Sequence, residues 1–129
     1  MTLIDSHCHL KTFVQKGTLD SVLVRAKNAG VEKLITVGTS FQDWDCYQSL
    51  ARNNSNIFYS VGLHPCYVAN DWAADVEKIP DYWDSQCKPV ALGEIGLDYF
   101  HLPKDKNLSL EHVIQQQQCF SRQLDLARL

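Results

Sequence analysis

Apolar residues alternate between two spacings from one end of this chain to the other. Leu3 to Ser6 reads as a short strand, after which Leu19, Val22, Leu23, Ala26 and Ala29 recur at helical spacing between Thr18, a candidate N-cap, and Gly30, a candidate stop. Lys33 to Gly38 is rich in β-branched residues and predicts a second strand. Ser40 with Asp43 has the form of a capping box, opening a stripe of Phe41, Trp44, Tyr47, Leu50 and Ala51 that Asn53-Asn54-Ser55 ends. Ile57 to Gly62 predicts a third strand, leading into Leu63-His64-Pro65. Trp72, Val76 and Ile79 predict a third helix stopped by Pro80, with Asp81 to Gln86 unassigned, and Val90 to Glu94 predicts a fourth strand. Beyond a polar loop containing Pro103, Ser109 is the expected cap of a last helix carrying Leu110, Val113, Ile114, Phe120, Leu124 and Ala127.

Four strand-then-helix units in series imply parallel strands joined by crossovers, in a single domain over residues 1–129. Near-continuous apolar strands suit a sheet covered on both sides. A doubly wound sheet and a (β/α) barrel share this pattern, and the polar residues favour the barrel. His7, His9, His64, Glu94 and Asp98 all fall at or just past strand C-termini, the rim on which barrel sites are assembled. Gly93-Glu94-Ile95-Gly96 lacks the third glycine of a dinucleotide fingerprint, and no phosphate-binding loop, nucleophile elbow or internal repeat is present.

His7-Cys8-His9 is the sharpest chemical signal. Side chains two apart on a strand share a face, so both imidazoles can reach one divalent ion while Cys8 packs on the other side. Glu94 closes an apolar strand, where a carboxylate needs a cation, either a metal or a lysine or arginine partner. Gly93 and Gly96 beside it permit close backbone approach. His64, before Pro65, is equally balanced between contacting substrate and capping its loop; Asp98 either orients a ligand or caps its loop. Asp5 shares the His7 face and is a candidate partner for an imidazole N–H. Cys66, His101 and His112 read as unexceptional, and the aromatic residues at helical spacing read as core.

Composition limits the partners. The chain is 45% hydrophobic with a formal charge of −3, so it looks globular and has no global attraction to nucleic acid or anionic membrane; phosphate recognition must be local. Five scattered cysteines with no C-x-x-C pair argue against a disulfide framework and a thiolate zinc site. They fit a reducing compartment, the cytoplasm or, in a eukaryote, the nucleus. No apolar run approaches the ~20 residues that span a bilayer, and Met-Thr-Leu-Ile-Asp does not open like a secretory leader, so no membrane partner is expected.

Taken together, Asp5-Ser6-His7-Cys8-His9-Leu10, Ala29-Gly30-Val31, Gly62-Leu63-His64-Pro65 and Gly93-Glu94-Ile95-Gly96-Leu97-Asp98-Tyr99 resemble the successive motifs of TatD-like metal-dependent deoxyribonucleases of the amidohydrolase superfamily. Gln118 to Ala127 is similar to the helix before the fifth strand there. The resemblance implies a (β/α)8 barrel of which this chain supplies about the first four β/α units, and divalent-metal-dependent hydrolysis of DNA phosphodiesters, often as a 3′-to-5′ exonuclease. It implies His7 and His9 as ligands of one metal, Glu94 as a catalytic carboxylate bridging toward a second, and His64 and Asp98 close to the substrate; the ions would be zinc, magnesium or manganese. Lys11 departs from the acidic residue that many relatives carry after His-x-His-Leu. Relatives run to about twice this length, and their later strands supply two more histidines and an aspartate. The 129-residue chain alone is therefore expected to hydrolyse poorly, and to associate with itself or with a C-terminal half. Two other readings stay open: a noncatalytic half-barrel that binds metal or a partner, and a different amidohydrolase reaction on the same ligands.

Overall fold

The structure, a computed structural model, describes residues 2–128. Its frame is a sheet of four parallel strands in sequential order: β1 (Leu3–Cys8), β2 (Val31–Thr36), β3 (Ile57–Val61) and β4 (Ala91–Leu92). Sequential order with no reversal is the arrangement of a (β/α) barrel; a doubly wound sheet would reverse direction at its first strand. Because every strand runs the same way, the loops after β1, β2, β3 and β4 share one rim.

The helices are α1 (Lys11–Gln15), α2 (Leu19–Asn28), α3 (Phe41–Asn53), α4 (Trp72–Val76), α5 (Ile79–Asp84) and α6 (Lys106–Leu126), with a 3-10 turn at Pro65–Tyr67. Trp44, Tyr47, Ile57, Tyr59, Val61 and Leu63 are all at most 2% exposed and form the core between α3 and the sheet. The Ser40–Asp43 capping box closes, and the Asp43 carboxylate also accepts the Thr39 hydroxyl at 2.7 Å. Gly30, at φ +90°, turns the chain from α2 into β2, a conformation that favours glycine.

Several boundaries differ from the expectations. Pro80 does not stop a helix: it lies in the first turn of α5, where its missing N–H costs nothing, so the expected third helix divides into α4 and α5 and takes in most of Asp81 to Gln86. The cap of α6 is Asp105, whose carboxylate accepts the N–H groups of Asn107 and Leu108 at 2.9 and 3.0 Å, and Ser109 lies within the helix. β4 is two residues long with Val90 left 51% exposed, because β4 pairs on one side only. α1 had no predicted counterpart.

Candidate metal centre

Each candidate side chain is placed by backbone hydrogen bonds at the strand ends. Val37 donates its N–H to the Cys8 carbonyl at 2.9 Å, fixing the end of β1 against that of β2. The His9 Nδ1 lies 3.0 Å from the Val37 carbonyl, which can only accept. Nδ1 therefore carries the proton and Nε2 presents its lone pair, the form in which imidazole binds metal. Cys8 faces the opposite way, toward the Ile35 carbonyl at 3.4 Å, and its thiol is pushed up to about 12 by burial and then by Asp5. It is a packing residue.

Glu94 stands on a more elaborate support. Gly93 donates its N–H to Val61 at 2.8 Å, while Glu94 donates past β3 to the Gly38 carbonyl at the end of β2, at 2.7 Å. The Ser60 hydroxyl sits beneath both, accepting the Gly38 N–H at 3.2 Å and donating to the Gly93 carbonyl at 2.6 Å. This close layering requires small residues. A Cβ on Gly38 would meet the Ser60 carbonyl at 2.5 Å, and one on Gly62 would meet the Gly93 carbonyl carbon at 2.6 Å.

Folded over in this way, Glu94 approaches the histidines of β1 although β1 and β4 are the outer strands of the sheet. Their strands are not neighbours; the curl of the sheet and the Glu94–Gly38 bond bring them together. Glu94 Oε2 is 3.5 Å from His7 Nε2, the His7 and His9 rings meet edge to face at 5.1 Å, and donor atoms of His7, His9 and Glu94 all lie within 4.8 Å of one another. Two imidazoles and a carboxylate at this separation fit a divalent ion of the zinc or manganese kind.

His64 takes the opposite tautomer to His9. Its backbone N–H is tied to the Thr39 carbonyl at 2.8 Å, and its Nδ1 accepts the Cys66 N–H at 3.1 Å. The ring proton of neutral His64 is thus on Nε2, which faces Glu94 Oε1 at 3.5 Å. His64 both caps its loop and points a donor into the site.

Asp5 does not reach an imidazole. Its carboxylate accepts the His7 backbone N–H at 3.1 Å, and the ring that needed an orienting group, His9, takes a carbonyl instead. Asp98 is turned to a second cluster. Its Oδ1 accepts the N–H groups of Phe100 and His101 at 2.9 and 3.1 Å, and its Oδ2 faces Cys66 Sγ at 3.2 Å and His101 Nδ1 at 2.8 Å. The His101 bond, with the Cys66 one behind it, holds the Asp98 carboxyl well below the usual carboxylate range. His112 lies on α6 as expected.

Two glutamines of α6 that sequence reasoning passed over position both site loops. Gln123, 1% exposed, accepts the Leu63 N–H at 2.8 Å and donates to the Leu63 carbonyl at 3.1 Å, next to His64. Gln116, also 1% exposed, clamps the Asp98 peptide in the same two-bond manner, at 2.8 and 2.9 Å. They stand two helical turns apart on one face. Their spacing was the available signal, obscured by the surrounding run Gln115 to Gln118.

Comparisons with known proteins bear on the family and the fold. The family model described as TatD related DNase matches residues 4–129. An uncharacterized metal-dependent hydrolase of Buchnera aphidicola is 35% identical over 112 residues, covering 84% of this chain and 41% of that protein. The 3′-5′ ssDNA/RNA exonuclease TatD of Shigella flexneri is 33% identical over 108 residues, covering 84% of this chain and 38% of the relative. The crystal structure of the TatD homologue YjjV of Escherichia coli superposes with a TM-score of 0.82 at 31% identity, over 97% of this chain and 46% of that one. The chain thus spans less than half the length of these relatives, and it belongs to the TatD-related DNase family.

Proposed function

We propose that this chain supplies the first half of the active site of a divalent-metal-dependent hydrolase that cleaves DNA phosphodiester bonds. The convergence of the His7, His9 and Glu94 donors within 4.8 Å at one rim of a parallel sheet carries this reading. Those residues would hold one ion, with Glu94 extending toward a second; zinc, manganese and magnesium are the candidates, and mixed imidazole and carboxylate favours the first two. A divalent ion bound there supplies a Lewis acid for the phosphoryl oxygen and a water of lowered pKa.

The chain's own residues bind and orient around that chemistry. His9 is held by Val37 so that its Nε2 stays unprotonated, and His64 is held by Cys66 so that its Nε2–H is available to a phosphate oxygen. Glu94 is the catalytic carboxylate, placed by Gly38 and Gly93. Asp98 shapes the rim on which the substrate would lie. The finer reading, removal of nucleotides from a 3′ end, is supported by the name of the Shigella relative. The five cysteines, all free, support a reducing compartment, cytoplasmic or nuclear, and among the described residues no helix is long and apolar enough to cross a membrane.

A 5′-labelled single-stranded oligonucleotide incubated with the purified chain and Mn2+ tests the proposal. Slow shortening is expected, stopped by EDTA and reduced on the order of 100-fold by Glu94→Gln. Shortening that persists in EDTA or in Glu94→Gln would overturn it. A noncatalytic half-barrel that binds metal or a partner is the second reading, favoured by the apolar Ile4 and Val90 left exposed at the outer strands; it predicts metal binding with no shortening at all.

A further inference from the structure

We propose that Cys66, Asp98 and His101 form a second cation site, separate from His7, His9 and Glu94, that takes a borderline-soft divalent ion of the zinc class. The three donors come from two loops. Cys66 lies in the turn Pro65–Tyr67 after β3, and Asp98 and His101 lie in the loop between β4 and α6. Sγ to Oδ2 is 3.2 Å, Sγ to Nδ1 is 3.7 Å and Nδ1 to Oδ2 is 2.8 Å. Ligands of tetrahedral zinc, at about 2.3 Å for sulfur and about 2.0–2.1 Å for nitrogen or oxygen, stand roughly 3.3–3.6 Å apart. Binding therefore needs the Nδ1–Oδ2 edge to open by about 0.5 Å and the Sγ–Oδ2 edge by about 0.3 Å, with Sγ–Nδ1 nearly in place.

Several features prepare these atoms to bind. Asp98 spends Oδ1 on the N–H groups of Phe100 and His101, which fixes the carboxylate and leaves Oδ2 directed at the other two donors. The Asp98 peptide is itself clamped by buried Gln116, so the loop is anchored to the long helix. Cys66 and His101 are exposed, so an ion can enter and keep a water as its fourth ligand. A thiolate and a carboxylate neutralise a divalent ion, and thiolate with imidazole selects the zinc class over magnesium or calcium. Binding displaces two protons to solvent, that of the Cys66 thiol and the one His101 Nδ1 shares with Asp98, and the ring keeps or takes up a single proton at Nε2, so that neutral imidazole presents its Nδ1 lone pair. Once filled, the site would staple the loop after β4 to the turn that carries His64.

Cobalt reads out this site alone, because a thiolate–cobalt charge-transfer band requires a sulfur ligand and the His7, His9 and Glu94 group has none. The full chain titrated with Co2+ is expected to develop that near-ultraviolet band saturating at one ion per chain. Cys66→Ser should abolish it, His101→Ala should weaken binding roughly tenfold or more, and the double variant His7→Ala/His9→Ala should retain it. Absence of the band in the parent chain, or an undiminished band in Cys66→Ser, would overturn the proposal whatever the fate of the hydrolase reading. Circular dichroism unchanged in Cys66→Ser confirms that a lost band reports ligation.

Discussion

His9 and His64 each commit Nδ1 to a backbone partner, one as donor and one as acceptor, and this difference divides their roles. His9→Ala removes a lone pair and is expected to lower Mn2+ affinity by roughly tenfold or more, measured by titration calorimetry. His64→Ala removes a donor, so Mn2+ affinity should change by less than a few-fold while binding of a single-stranded oligonucleotide weakens, measured by fluorescence anisotropy. Equal effects of the two variants on metal affinity would contradict the tautomer assignment. Asp98 gives a prediction in pH. Its folded-state carboxyl is depressed, chiefly by His101, so the stabilisation it gives its loop is present above the ordinary carboxylate range and is lost only as pH falls through the depressed value. Carbon-detected NMR of the Asp98 carboxyl should show titration well below that of a free aspartate, moving upward in His101→Ala. An ordinary titration in the parent chain would mean that the pair does not form.

Among the elements, α6 has more to do than close a layer. Gln123 satisfies both polar groups of the Leu63 peptide, and Gln123→Leu would strand them in a buried place. An unsatisfied buried group costs about 1–3 kcal/mol, so urea unfolding should show a loss of that order, against a change within about 0.5 kcal/mol for Gln117→Leu on the exposed side. Equal stabilities would show the clamp to be idle. What was legible in the sequence divides along the same line. The His-x-His pair and the Ser40–Asp43 box were readable because each depends on residues within a few positions; Glu94 was readable as a strand-end carboxylate, but the bond to Gly38 that carries it toward β1 was not. Pro80 was misread because a proline that ends one helix and a proline that begins another look alike locally. Asp105 was passed over for Ser109, although either residue type can cap. The Cys66–Asp98–His101 cluster and the two glutamine clamps join loops and helix across long sequence separations, and no local pattern announces such contacts.

For the whole molecule, the curl that brings Glu94 to β1 also leaves surfaces uncovered. β1 and β4 end the sheet, and Ile4, Val90, Leu110 and Ile114 are 60%, 51%, 63% and 46% exposed. The apolar residues expected to bury α6 lie partly outward, while its buried positions are Gln116, Cys119 and Gln123. At roughly 25 cal/mol per Å2, about 200 Å2 of such surface is worth about 5 kcal/mol, comparable with the stability of a small domain. The chain alone is accordingly expected to self-associate at micromolar concentration in light scattering, and a persistent folded monomer would count against the half-barrel's need for a cover. The central claim, that His7, His9 and Glu94 form one metal site, is tested most directly by diffraction from crystals soaked in Mn2+, a harder ion than zinc and therefore a poor match for Cys66. The account predicts an anomalous peak in contact with His9 Nε2 and the Glu94 carboxylate, absent in His9→Ala; manganese bound only elsewhere, or not at all, would contradict it.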